Sequence, residues 1–298
     1  MWFILAALSA IFLGFYDVFK KYSLNDNAVL PVLLLSTASG AILFVPFWLI
    51  SKMEWISDAN LLYIPMATFT EHLLIIIKTV IVLSSWILAY FALKHLPITI
   101  VAPIRATGPL WTLIGALLIF SEQLVFMQWA GFLITLIFFF LFSISGRYEG
   151  ISFKNNKWLW FIILATIAGS VSGLYDKFLL RHVNRMTVQC YFSFYQFVIM
   201  SIIIIFLWWP KRHKTTKLKW RWSIPLIGIT LVLADFLYFF ALSEPDSLIS
   251  VVSALRRGSV VIAFGTGAIL FKEQRIMQKT IYLLGILIGM ALLLFGSA

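Results

Sequence analysis

Seven charged side chains stand inside runs of apolar residues long enough to be embedded in lipid: Asp17, Lys78, Arg105, Asp176, Asp235, Arg256 and Arg257. In hydrocarbon each costs on the order of 3 kcal/mol unless it is paired or wetted. Their chemistry is therefore mutual ion pairing or the handling of a polar ligand. A guanidinium grips carboxylate or phosphate through two parallel hydrogen bonds, so an excess of buried Arg and Lys suits an anionic group. Asp235, in the run LADFLYFFAL, is a candidate proton carrier, and pairing with Arg257 or Lys78 is the competing reading. Enzyme chemistry lacks its usual parts. His72, His95, His182 and His213 fall at or beyond the ends of the apolar spans, and Cys190 is the single cysteine. Neither a Ser/His constellation nor a metal-ligand spacing results, and no Gly-rich phosphate-binding motif is present. We therefore expect no enzyme activity, no cofactor and no metal.

The elements that must hold these charges are membrane helices. With 62% hydrophobic and 12% charged residues and a mean hydropathy of +0.98, the chain departs far from a water-soluble domain, which runs near half apolar and a quarter charged. Apolar spans are expected at Trp2–Leu24, Ala28–Ser51, His72–Leu93, Pro97–Phe120, Leu124–Ser145, Trp158–Arg181, Met186–Trp209, Trp222–Leu242, Asp246–Phe271 and Ile276–Gly296. Each reaches the roughly 20 residues that a helix needs to cross the hydrocarbon. The fold class expected is all-α integral membrane, with ten transmembrane helices. The first span carries its lysines, Lys20 and Lys21, after the apolar run instead of before it, so it is expected to be a retained helix and not a cleaved leader.

Lys and Arg concentrate in the odd-numbered connections, with Lys211–Arg221 the densest run, while the even ones carry only Lys52, Arg181 and Arg185. Basic loops stay cytoplasmic, so the odd connections face the cytoplasm and both termini are extracytoplasmic. The net charge of +11 is mostly this bias, and no nucleic-acid partner is implied.

The chain repeats itself. Tyr90–Gln123 returns as Phe239–Gln274, with Arg105 on Arg256 and Glu122-Gln123 on Glu273-Gln274 at one constant offset; Ile4-Leu5-Ala6 and Gly14–Phe19 return as Ile163-Leu164-Ala165 and Gly173–Phe178. The units are 1–146 and 158–298. Five helices is an odd number, so the second copy enters the membrane from the opposite side. Two inverted five-helix repeats place a substrate site near midplane between them.

Tyr90-Phe91-Ala92-Leu93, the turn to Pro97, Pro103 and Pro109, and Glu122-Gln123 leading to Gln128 and Gly131 resemble an EamA domain of the drug/metabolite transporter superfamily, and Phe239–Gly285 resembles a second. The second copy departs in having Ala254 where the first has Pro103, and in adding Arg256-Arg257. The resemblance implies ten helices in two EamA repeats around a central cavity, and transport of small metabolites without ATP hydrolysis. A lipid or headgroup flippase and a non-transporting scaffold are the alternatives.

Counting about 1.5 Å per residue, Asp17 and Arg105 lie roughly 10 to 12 Å inside the cytoplasmic end of their helices, and Asp176 and Arg256 roughly 10 to 15 Å from the outer face. The inverted repeat thus predicts two pairs, Asp17 with Arg105 and Asp176 with Arg256, which either gate the cavity or neutralise each other statically. Tyr16, Trp86, Tyr90, Trp111, Tyr175 and Tyr238, with Arg105, Arg256, Arg257 and Lys78, form the candidate substrate-binding set. Asp235 is the coupling candidate, with protons or a counter-substrate as partners. Gly108 and Gly115 beside the prolines of the fourth span, and Gly258, Gly265 and Gly267 in the ninth, permit kinks or close packing. Gly285 and Gly289 form a GxxxG whose expected use is internal packing.

Overall fold

A computed structural model of the protein describes residues 2–58, 60–119, 125–147, 156–256, 258–270 and 276–295. Among these, every regular element is helical: α1 Trp2–Leu24, α2 Val29–Lys52, α3 Phe69–His95, α4 Ile98–Ala106, α5 Gly108–Ile119, α6 Phe126–Arg147, α7 Lys157–Leu179, α8 Arg185–Ile203, α9 Ser223–Ser243, α10 Ile249–Arg256, α11 Ser259–Leu270 and α12 Ile276–Phe295. Six of them, α1, α2, α3, α7, α8 (continued by π and 3₁₀ turns to Lys211) and α9, are long and apolar enough to cross a membrane. The exposed surface is correspondingly apolar, with Ile4, Phe126, Phe206 and Met277 among the outward-facing residues. This is a multi-pass membrane protein.

The fourth and ninth spans are not continuous helices as expected. The fourth breaks at Thr107 into α4 and α5. Pro109 has no N–H to offer the carbonyl of Arg105, so the bonding ladder is cut at this point, and the Thr107 N–H turns to the Ile104 carbonyl at 3.1 Å. The ninth divides between Arg256 and Ser259, where the Gly258 N–H bonds Leu255 instead of continuing the α-helical pattern. The third span starts earlier than the hydropathy indicates. Thr68 and Glu71 form a reciprocal capping box, and α3 begins at Phe69.

Contacts between helices obey an exchange of the two halves. Matching α1 with α7, α2 with α8, α3 with α9, α4 and α5 with α10 and α11, and α6 with α12 turns each major pairing into another observed one. Thus α1 against α9 becomes α7 against α3, α2 against α9 becomes α8 against α3, and α1 against α11 becomes α7 against α5. Hydroxyls tie these seams. Ser9 donates to the Ala234 carbonyl at 2.7 Å and Ser23 meets Ser223 at 2.6 Å, so α1 and α9 run antiparallel. Ser85 donates to the Ala165 carbonyl at 2.7 Å and Tyr175 to that of Leu74 at 3.1 Å, so α3 and α7 do likewise. The counterparts α6 and α12 are antiparallel too. A Cβ on Gly285 would lie 2.1 Å from Phe138, and one on Gly289 would lie 2.3 Å from Thr135, so the GxxxG serves internal packing.

Candidate functional site

Five helices each present one stripe of residues to a shared interior, because positions three, four and seven apart share a helix face. The stripes are Lys78, Val82, Ser85 and Trp86 on α3; Gly169, Gly173 and Asp176 on α7; Leu231, Asp235 and Tyr238 on α9; Ile249, Ser253 and Arg256 on α10; and Leu13 and Tyr16 on α1. Arg105 at the end of α4, Thr112 on α5 and Phe192 on α8 add to the wall of a cavity of about 140 Å³. Gly169 and Gly173 leave part of this space, since a Cβ on Gly173 would reach the Tyr238 hydroxyl at 3.7 Å. Ser253 bridges to Thr112 at 3.3 Å, joining the two broken spans across the cavity.

A second chamber of about 90 Å³ is lined by Tyr16, Lys20, Ser85, Trp86, Ala89, Arg105, Ala165, Thr166 and Gly169. Its end of the protein is marked by Tyr90, twelve positions beyond Lys78 on α3, about 18 Å along the helix. Here Asp17 accepts from Arg105 and, at 2.7 Å, from Lys20. The Lys20 ammonium also lies 4.2 Å from the ring centroid of Tyr16 and 5.3 Å from that of Tyr90. Lys20 is only 2% exposed. The neighbouring Lys21 turns away to the carbonyls of Leu93 and Leu96, both at 2.9 Å, and caps the end of α3.

At the far end Lys78 is bonded to Asp176 between the rings of Phe192 and Phe239, with centroids at 4.4 and 4.9 Å. Beside them Arg256 Nη2 donates to Asp235 Oδ1 at 2.7 Å, and its guanidinium lies 4.0 Å from the Tyr238 centroid. Both partners face the cavity, and the buried Nε of Arg256 has no partner among the described residues.

A family model described as "EamA-like transporter family" matches residues 1–144 and 156–295. The chain belongs to this family. No curated protein matches it. A solved structure described as "Crystal structure of protein" superposes with a TM-score of 0.69 over 98% of this chain and 96% of that one at 14% identity, a likeness of fold alone.

In this EamA-like transporter, Tyr16, Lys78, Trp86, Arg105, Asp176, Asp235, Tyr238 and Arg256 come together around the cavity. Asp17 sits just behind Arg105 as that residue's partner. The expected pairing of Asp176 with Arg256 is corrected: Asp176 takes Lys78, and Arg256 takes Asp235. Asp235, expected beside Arg257 or Lys78, is thereby also reassigned. Trp111 is 41% exposed and faces outward, away from the cavity. Tyr90 is buried beside Lys20 instead of lining the main cavity, and the Tyr175 hydroxyl is spent on the Leu74 carbonyl. Arg257, Glu122-Gln123 and Glu273-Gln274 lie outside the described residues. Sequence reasoning assigned Lys20 to a connection and passed over Lys177. Both are buried, and Lys177 donates to the backbone and hydroxyl of Ser247. The usable signal for Lys20 was its i, i+3 spacing from Asp17, which puts an ammonium on the face of a span carboxylate.

Proposed function

We propose that this protein is a secondary transporter that moves a small polar metabolite across the cell membrane by alternating access, with ten crossings arranged as two inverted five-helix repeats. The observation that carries the reading is the charged cavity enclosed by both halves, with ion-paired groups at its two ends. The antiparallel course of the counterparts α6 and α12 supports the inversion. The broken fourth and ninth spans support a midplane site, since non-helical backbone at membrane depth is tolerated where it is buried in protein or lines a cavity. The basic connections support a cytoplasmic face for the odd loops and extracytoplasmic termini.

Opening toward one face has to loosen the hold of Asp17 on Arg105, which ties α1 to α4. Opening toward the other has to loosen Lys78 from Asp176, which ties one repeat to the other. A polar ligand competes for the same donors, so its binding biases which tie is made, and only differential affinity for the two states can do so. Energy comes from the substrate gradient, exchange or protons, with Asp235 as the coupling group. The bound partners are the substrate and the bilayer, without nucleic acid or catalysis. Proteoliposomes loaded with charge-sorted metabolite pools test this. Counterflow that is saturable and lost in Arg256→Gln supports it, and the absence of movement of any pool overturns it.

A further inference from the structure

The two ends of the cavity differ in their charge balance. Among the described residues, two carboxylates face two cations around Lys78, Asp176 with Lys78 and Asp235 with Arg256. Around Asp17 one carboxylate faces two cations, Lys20 and Arg105. Both of these bond the same oxygen, Oδ1, and each keeps further N–H donors. A surplus positive charge buried at a helix interior is costly without a counter-ion. The Tyr16 and Tyr90 rings beside Lys20 relieve only part of that cost. The surplus borders the chamber of about 90 Å³, whose lining includes Lys20 and Arg105. The Ser85 and Thr166 hydroxyl protons in that lining are already given to the carbonyls of Ala165 and Ile162. The charged donors for a ligand there are therefore the ammonium and the guanidinium.

We infer that Lys20 and Arg105 form an anion subsite that takes the acid group of a small organic monoanion, a monocarboxylate. This rests on the transport reading above and names the substrate class for that cavity. One negative charge cancels the surplus of one, whereas a doubly charged phosphate would bury a new deficit. Trp86 lines both chambers. Its ring faces the remainder of the ligand where the acid end passes into the larger cavity.

The test uses full-length protein in lipid nanodiscs, with monocarboxylates from acetate to gluconate, each matched with its uncharged amide, and inorganic phosphate as a further arm. Thermal stabilisation by at least one acid but not by its amide is expected. Lys20→Gln removes the surplus, so the expected result is a ligand-free melting temperature equal to or above wild type and acid binding at least tenfold weaker. Asp17→Asn raises the surplus to two, so acids bind more tightly although the ligand-free protein melts lower. Stabilisation by amides equal to that by acids, a phosphate response larger than any acid's, an unchanged Lys20→Gln response, or weaker acid binding in Asp17→Asn each overturns the inference. Should Lys20→Gln fail to fold, the Asp17→Asn arm decides. Counterflow separates the two readings. Movement of cations or zwitterions but no monocarboxylate removes the anion subsite and leaves transport standing, and movement of no solute removes both.

Discussion

The cavity end at Asp17 and the end at Asp176 descend from the same duplicated segment, yet they solve the burial of charge differently. Asp17 is held within its own repeat by a cation from the next turn of its helix and another from α4. Asp176 is held across the repeats by Lys78. At the offset that aligns Tyr90 with Phe239, Lys78 falls on Ile227 and Asp235 on Trp86. Lys78 and Asp235, one member of each pair at that end, therefore have no charged counterpart. What this teaches is that the repeat preserves the backbone architecture while the polar partners have diverged. Among the described residues, one end carries a redundant cation and the other a set of two acids and two bases.

Removing one cation from each end is the sharpest way to break this comparison. Lys78→Leu leaves Asp176 buried without its bonded partner, and we expect a loss of about 3–5 kcal/mol, read as a large fall in melting temperature of the purified protein. The double variant Lys78→Leu/Asp176→Leu should recover most of that loss, since deleting both members of a buried pair is often nearly neutral. Asp235→Asn frees Arg256, which faces the cavity and keeps the Tyr238 ring. We expect a loss of about 1–2 kcal/mol, together with loss of any proton dependence of counterflow. Arg105→Gln leaves Asp17 with Lys20, so its stability cost should be about 1 kcal/mol or less while binding falls. Equal costs for Lys78→Leu and Arg105→Gln would refute the asymmetry. Smallest of all, Trp111→Leu should change stability by about 0.5 kcal/mol or less and leave transport unaltered, because the ring points away from the cavity.

Much of this was legible in the chain. The apolar helices and the duplication follow from hydropathy and constant offsets, and the depth count brought Asp17 and Arg105 to one level because each was measured from a clear helix end. The same count misassigned Asp176. Lys78, Asp235 and Arg256 all lie within reach of that depth, and depth along the membrane normal says nothing about rotation around each helix axis. Trp111 went wrong for that reason too: its level was reasonable but its face was not. Lys20 near the end of α1 reads as an interface residue, and only the neighbouring Tyr16, Tyr90 and Arg105 draw its ammonium inward.

Composition, period and internal repetition alone thus determined that this is a doubled helical membrane protein with charged groups inside its spans, since burial in lipid is a property that each segment carries by itself. Which acid meets which base, and where one positive charge is left over beside a cavity, were decided by the tertiary structure, because ion pairing falls off over a few ångströms and depends on how neighbouring helices are turned toward one another.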